Sequence, residues 1–330
     1  YNETCADISM VYLFHRMFLL HGDSKYIDCM ERTLYNGVIS GMSVDGGRFF
    51  YPNPLSANGE YKFNADNTNT RQPWFGCACC PSNLCRFIPS FPGYMYAVKD
   101  QKLYVNLFAG NTATIQVGGK DVVLEQQTNY PWDGDVAIKI VNTKAKAFDL
   151  AIRIPGWLKA PVPSNLYIYA DGNDGQYEVL VNGEKAEGRM EHGYLVLSRK
   201  WKKGDVVTLK LQMDIRTVKA NDRVTDDRGR EAVVCGPLVY CAEGADNQFD
   251  IFNFVLSSQP KYETEPFTLN PQISTLTAIT ARGQVISRSA DGQLQLSDKR
   301  IKLIPYYAWN HRGAGKMDVW LMSDLPKLGR

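Results

Sequence analysis

The sequence predicts a multidomain protein of mixed class, with helices first and two all-β units after them. Three observations carry this. Apolar residues recur at helical spacing over roughly the first 95 residues, the period changes to two near Tyr94, and turn residues then punctuate the chain about every ten positions. At roughly 100–200 residues per domain, a chain of 330 residues is expected to hold two or three domains.

From Glu3 to about His21, the residues Ile8, Val11, Phe14 and Phe18 lie on one helical stripe, and Gly22 follows where a left-handed C-terminal cap belongs. Asp23 and Ser24 then offer an N-cap for a second helix through Tyr26, Ile27, Met30 and Leu34, which makes an αα-hairpin. Gly46-Gly47 turns the chain into an aromatic segment, Arg48 to Pro54, and a polar loop follows from about Ser56 to Gln72.

Strands are predicted at Tyr94–Val98, Leu103–Leu107, Thr114–Val117 and Val122–Leu124, the last two joined by a Gly118-Gly119 hairpin turn. More follow at Ala137–Val141, Leu150–Ile154, Tyr177–Val181, Tyr194–Leu197 and Val206–Leu211, then at Ala232–Cys235, Leu238–Ala242, Leu294–Leu296, Ile301–Pro305 and Met317–Leu321. Short, evenly punctuated strands of this kind suit β-sandwiches. The expected boundaries give a helical part at 1–94, one β unit at 95–215 and a second at 216–330.

Composition narrows the function. Basic and acidic residues nearly balance, 37 against 35, and no basic tract carries interleaved aromatics, so the electrostatic footprint of a nucleic-acid binder is missing. No stretch of about 18 apolar residues is present, so no membrane-spanning helix is expected. The first residue is Tyr1 and no leader pattern precedes the first helix, from which an upstream segment is expected.

The eight cysteines are unevenly placed, and Cys77, Cys79, Cys80 and Cys85 fall close together. Such clustering in a long chain points to metal or nucleophile chemistry before disulfide stapling. In Cys77-Ala78-Cys79-Cys80-Pro81-Ser82-Asn83, the proline fits the first position of a helix, setting Cys79 and Cys80 at a helix N-terminus. Exposed N–H groups and the helix dipole favour negative charge there, which makes thiols better nucleophiles and better ligands. Glu3-Thr4-Cys5 places a carboxylate and a thiol two residues apart. Glu3, Cys5, Cys79 and Cys80 would form an O,S,S,S set of the kind zinc accepts. A structural zinc, a disulfide using Cys77 or Cys85, and a catalytic thiol all fit this spacing. Adjacent ligands suit a spaced zinc knuckle poorly, and spacing alone does not choose among the three.

Glu3-Thr4-Cys5-Ala6, Phe50-Tyr51-Pro52-Asn53-Pro54-Leu55 and Cys77 through Asn83 resemble the signatures of glycoside hydrolase family 127 and its close relative family 146, the β-L-arabinofuranosidases. The resemblance continues through Arg153–Trp157, Val181-Asn182-Gly183, Trp201–Asp205, Gly236–Tyr240 and Ile304–Asn310, so it covers essentially the whole chain. It implies the C-terminal remnant of an (α/α)6 toroid followed by two β-sandwich domains, the second jelly-roll-like. It also implies zinc held by Glu3, Cys5, Cys79 and Cys80, with Cys79 as nucleophile and Tyr51 and Asn53 in the sugar-contacting segment. The implied partner is an arabinofuranoside-containing oligosaccharide or polysaccharide, and the implied reaction is a double displacement with retention, sulfur replacing the usual carboxylate.

That scheme needs a general acid, which the family takes from a glutamate a short way upstream of Glu-Thr-Cys. That position precedes this sequence, so the chain alone is expected to be inactive or nearly so. His15 and His21 read as helix-surface or core histidines. Trp157, Trp201 and Trp309 read as core before sugar platforms, and Asp222 with Asp226-Asp227 as a solvated acidic turn before a calcium site. Cys235 and Cys241 fit either a disulfide or two buried thiols. A cut toroid would leave an apolar helical surface that favours a homodimer, and the resemblance implies a periplasmic or secreted location. The alternative function is a non-catalytic carbohydrate-binding or structural β module with a structural zinc site.

Overall fold

In the computed structural model, which describes residues 1–269 and 275–324, the first segment is helical and the rest is dominated by strands. Helix α1 spans Thr4–His21 and ends on Gly22 in the left-handed conformation (φ 66°), its N–H returning to the Phe18 carbonyl. Helix α2, Ser24–Arg32, starts from Asp23, whose carboxylate accepts the Lys25 N–H at 3.0 Å. Beyond α2 the chain continues as a π-turn over Thr33–Val38 and a 3₁₀ turn over Ile39–Gly41. The reason is close approach to α1. A Cβ at Gly37 would lie 2.5 Å from the Asp7 carboxyl carbon, so this stretch adjusts its pitch around the first helix.

The middle segment forms a six-stranded and a five-stranded sheet. The strand residues alternate in direction, as the period of two requires. Leu150, Ile152, Leu195 and Leu197 point into a core shared with Val122, Ile138, Val179 and Leu209 of the six-stranded sheet. Their neighbours Ala151, Tyr194 and Val196 point the other way, into the core built around Ile8, Val11, Phe18 and Ile27 of the helices. The five-stranded sheet is therefore buried on both faces and joins the helical part to the β part.

Arg153 pins this junction. Fully buried (0% exposed), it contacts Asp28 at 2.7 Å and Glu31 on α2, and donates to the Asn106 carbonyl at 2.6 Å. Tyr130 closes the cluster, donating to Glu31 at 2.8 Å and accepting from the Trp157 indole at 3.1 Å. Trp157, Trp201 and Trp309 are all buried, as read from the sequence.

The strands after Ile215 are bonded into one eleven-stranded sheet instead of two separate ones, and it recruits strands from elsewhere. Ser56–Asn58, expected in a polar loop, pairs with Lys316–Asp318, and Tyr167–Tyr169 pairs with Ile215–Ala220. Sheets of this size curl, and here alternate residues of Leu238–Glu243 enter two different cores, Cys241 in one and Tyr240 and Ala242 in the other. Leu294–Leu296 and Ile301–Pro305 merge into one strand, Leu294–Pro305, whose partner Leu276–Arg288 has no alternating signal clear enough to predict. No helix among the described residues is long and apolar enough to cross a membrane.

Asp318 gives this sheet a pH signature. It is buried, takes one hydrogen bond from Arg230 at 3.2 Å, and burial pushes its carboxyl up to about 6. A carboxyl whose folded pKa is raised holds its proton more tightly when folded, so its contribution is full below about pH 4 and is lost as the pH rises through 6. The stability difference between the native chain and Asp318→Asn is expected to fall by on the order of 2–3 kcal/mol between pH 4 and pH 8. Urea unfolding of both proteins at the two pH values measures it, and parallel curves would contradict the assignment.

Candidate active site and metal centre

Helix α3 spans Cys79–Phe87, so Cys79 is its first residue and Pro81 its third, two positions later than the sequence suggests. Proline is tolerated there because the early N–H groups of a helix have no intrahelical partner. No side chain caps this end, and Ser82 turns its hydroxyl back onto the Ala78 carbonyl at 2.7 Å.

Packing of α1 against α3 brings Cys5 to this helix end. The sulfurs of Cys5, Cys79 and Cys80 all lie within 4.8 Å of one another. Cys79 and Cys80 are 4.0 Å apart, and the Tyr51 hydroxyl is 2.9 Å from the Cys79 sulfur. Glu3 does not join this sulfur set. It bridges to Pro52 and accepts a hydrogen bond from the Tyr1 hydroxyl at 2.9 Å. All eight cysteines are free thiols, which removes a disulfide to Cys77 or Cys85 and a Cys235–Cys241 pair from the structure.

The three thiols differ electrostatically. Burial raises Cys5, and it raises the fully buried Cys80 further. At Cys79 burial acts in the same direction but is outweighed by hydrogen bonds from Tyr51, Cys5, Cys80 and Cys77, which hold this thiol below its ordinary value. Tyr51 is pushed up by its bond to Cys79 and then by burial, consistent with a neutral phenol donating to sulfur. Cys5 and Cys79 are both half-exposed, and Cys79 is the more acidic of the two, the profile of a reactive cysteine.

Tyr51 is held from three sides. Its carbonyl accepts the Thr4 N–H at 2.9 Å, its own N–H goes to the Asn64 side chain at 2.8 Å, and its ring meets Phe75 edge-on at 5.9 Å. Asn53 takes a different place from the sugar-contacting one expected of it. It is 4% exposed, with its amide nitrogen donating to Thr4, Asp7 and the Gly37 carbonyl and its oxygen accepting from Ser40. It ties the Glu3-Thr4-Cys5 segment to the Tyr51 segment from behind. Asp7, whose carboxyl burial raises to about 6, completes that network and was not singled out in the sequence, nor was Asn64. The signal for Asn64 was available: short Asx side chains in a polar loop commonly bond nearby backbone. His15 rests edge-on against Tyr94 at 4.8 Å and His21 lies tilted against Tyr26 at 5.6 Å, both on α1 and away from the thiols in its last two turns.

Three convergent thiols at a helix N-terminus, one of them acidified, define a thiolate centre able to take a soft metal ion. Residues 1–93 match the catalytic-domain profile of β-L-arabinofuranosidases of glycoside hydrolase family 127, residues 102–213 the middle-domain profile, and residues 215–322 the C-terminal-domain profile. The chain belongs to glycoside hydrolase family 127. It is 33% identical to the non-reducing end β-L-arabinofuranosidase of Bifidobacterium longum subsp. longum, over 97% of this chain and 49% of the relative. Among solved structures, a family 127 β-arabinofuranosidase superposes with a TM-score of 0.92 at 50% identity, over 98% of this chain and 49% of the other. The family 127 β-L-arabinofuranosidase of Geobacillus stearothermophilus T6 superposes with a TM-score of 0.86 at 36% identity, over 98% and 50%. The chain thus spans about half the length of these relatives.

Proposed function

We propose that this chain carries the nucleophile half of a retaining β-L-arabinofuranosidase, releasing L-arabinofuranose from plant-type glycans. The observation that supports it most is the acidified Cys79 sulfur, 2.9 Å from Tyr51 and beside Cys5 and Cys80, in a chain of this family. In the proposed reaction the Cys79 sulfur attacks the anomeric carbon. The carbon–sulfur bond forms as the glycosidic carbon–oxygen bond breaks, and the leaving oxygen takes a proton from a general acid. Water then attacks the same carbon, giving its proton to the deprotonated general acid, sulfur leaves, and two inversions give net retention. Tyr51 donates to the sulfur and presents its ring to the sugar, while Asn53 and Asp7 fix the backbone that carries Tyr51 and Cys5.

Cys5, Cys79 and Cys80 would hold zinc, with the Glu3 carboxylate supplied from the adjoining bridge, and the bound ion would keep sulfur deprotonated at neutral pH. The general acid we place on a segment upstream of Glu3. We read the helices to about residue 94 as the end of an (α/α)6 toroid and the two sheets sharing one core as a β-sandwich. Export to the periplasm or beyond would suit a polysaccharide substrate.

Metal analysis tests the site directly. About one zinc per chain is expected, lost in both Cys79→Ser and Cys80→Ser. Absence of zinc, with Cys79 and Cys80 recovered as disulfides, would overturn the thiolate mechanism and favour a non-catalytic β module.

A further inference from the structure

We propose that Trp74 is the stacking platform for the sugar next to the cleaved bond, so that it sets preference for di- and oligosaccharide substrates over glycosides of small alcohols. The inference rests on the glycosidase reading above. Trp74 is 55% exposed, whereas its aromatic neighbours Phe49 and Phe75 are buried. Phe49 touches it at a steep angle, centroids 6.3 Å apart and planes at 81°, and most of the indole stays open to solvent.

The chain around it is braced on both sides. Before it, Gln72 pairs with Phe49 through two backbone hydrogen bonds of 2.7 and 3.0 Å. After it, the Gly76 N–H is held by the Asp66 carboxylate at 2.9 Å. Asp66 and Asn67 sit at φ 56° and 57°, a left-handed conformation unusual for residues with a side chain and characteristic of loops shaped for function. The next residue, Phe75, packs on Tyr51, and Tyr51 reaches Cys79. One braced loop thus buries Phe75 against Tyr51, the reactive sulfur's partner, and leaves the preceding side chain, Trp74, exposed against Phe49. An indole held rigidly in the open loses little conformational freedom on binding, and its face suits the apolar C–H face of a sugar ring.

Two substrates separate this role from a general one: a β-L-arabinofuranosyl disaccharide, and methyl β-L-arabinofuranoside, whose aglycone has no ring to stack. In the full-length enzyme Trp74→Ala is expected to raise KM for the disaccharide roughly tenfold, with kcat within about twofold and the methyl glycoside unaffected. Trp74→Phe should recover part of the loss. Equal losses on both substrates, or no loss on either, would overturn the proposal. Failure of the unaltered enzyme to cleave either substrate would instead overturn the glycosidase reading.

Discussion

Replacing Cys79 by serine in the full-length protein is expected to lower kcat/KM on a β-L-arabinofuranosyl disaccharide by roughly 10⁴-fold or more. Serine keeps the size and the hydrogen bond to Tyr51 but not the acidity. Hydrogen bonds from Tyr51, Cys5, Cys80 and Cys77 outweigh burial and hold this thiol below its ordinary value, whereas a serine hydroxyl in the same place is far less acidic than any thiol. Cys80 is buried, so the nucleophile cannot simply shift to that neighbour. Tyr51→Phe should cost far less, roughly 10–100-fold, because it removes one donor and leaves the thiolate. Steady-state kinetics on the three proteins decides the matter. Retention of more than about a tenth of the activity in Cys79→Ser would remove Cys79 from the nucleophile's role.

The second large effect is on stability. Arg153→Met is expected to destabilise the chain by about 3–5 kcal/mol, a large share of the 5–15 kcal/mol typical of a folded domain. The methionine fits the volume, but Asp28 and Glu31 would stay in a buried pocket without their cation, and the Asn106 carbonyl would lose its donor. Even beside Arg153, burial pushes the Asp28 carboxyl up to about 6. Removing the cation raises it further, and a group raised on folding stabilises at low pH and loses that contribution as the pH increases. The deficit of the variant should therefore be larger at pH 8 than at pH 5. Urea titrations at both values measure it. Adding Asp28→Asn and Glu31→Gln to Arg153→Met should recover much of the loss, since the main penalty is the unpaired charge. A deficit below about 1 kcal/mol, or one independent of pH, would show that the cluster does not hold the junction.

Local chemistry was legible without tertiary information. Gly22 and Asp23 mark the end of one helix and the start of the next because their roles depend only on neighbouring backbone. Gly118-Gly119 and Asn182-Gly183 mark hairpins because tight turns need positive φ at both positions. Cys79 and Cys80 fall at a helix N-terminus as the following proline suggested, with the start displaced by two residues. The family signatures likewise located Cys5, Tyr51, Cys79 and Cys80 before any coordinates did.

Contacts between distant residues were decided by the tertiary structure alone. The sequence placed Asn53 close to Tyr51 in one motif, yet the chain bends at Tyr51 and the two side chains part. Tyr51 reaches the sulfurs, whereas Asn53 is turned back among Thr4, Asp7 and Ser40. Ser56–Asn58 became a strand because an edge of the distant last sheet was there to pair with it, not because its own residues favour one. The charge cluster of Arg153 with Asp28 and Glu31 joins segments over 120 residues apart and leaves no periodic trace. The sequence by itself thus determined where capped helices and tight turns fall and that thiols cluster at one helix start, because capping, turn and period are local. Only the packing of α1 against α3 brought Cys5 to Cys79 and Cys80, and only the hydrogen bonds gathered on the Cys79 sulfur, outweighing its burial, made it the most acidic of the three, because distance, hydrogen bonding and desolvation belong to the folded chain.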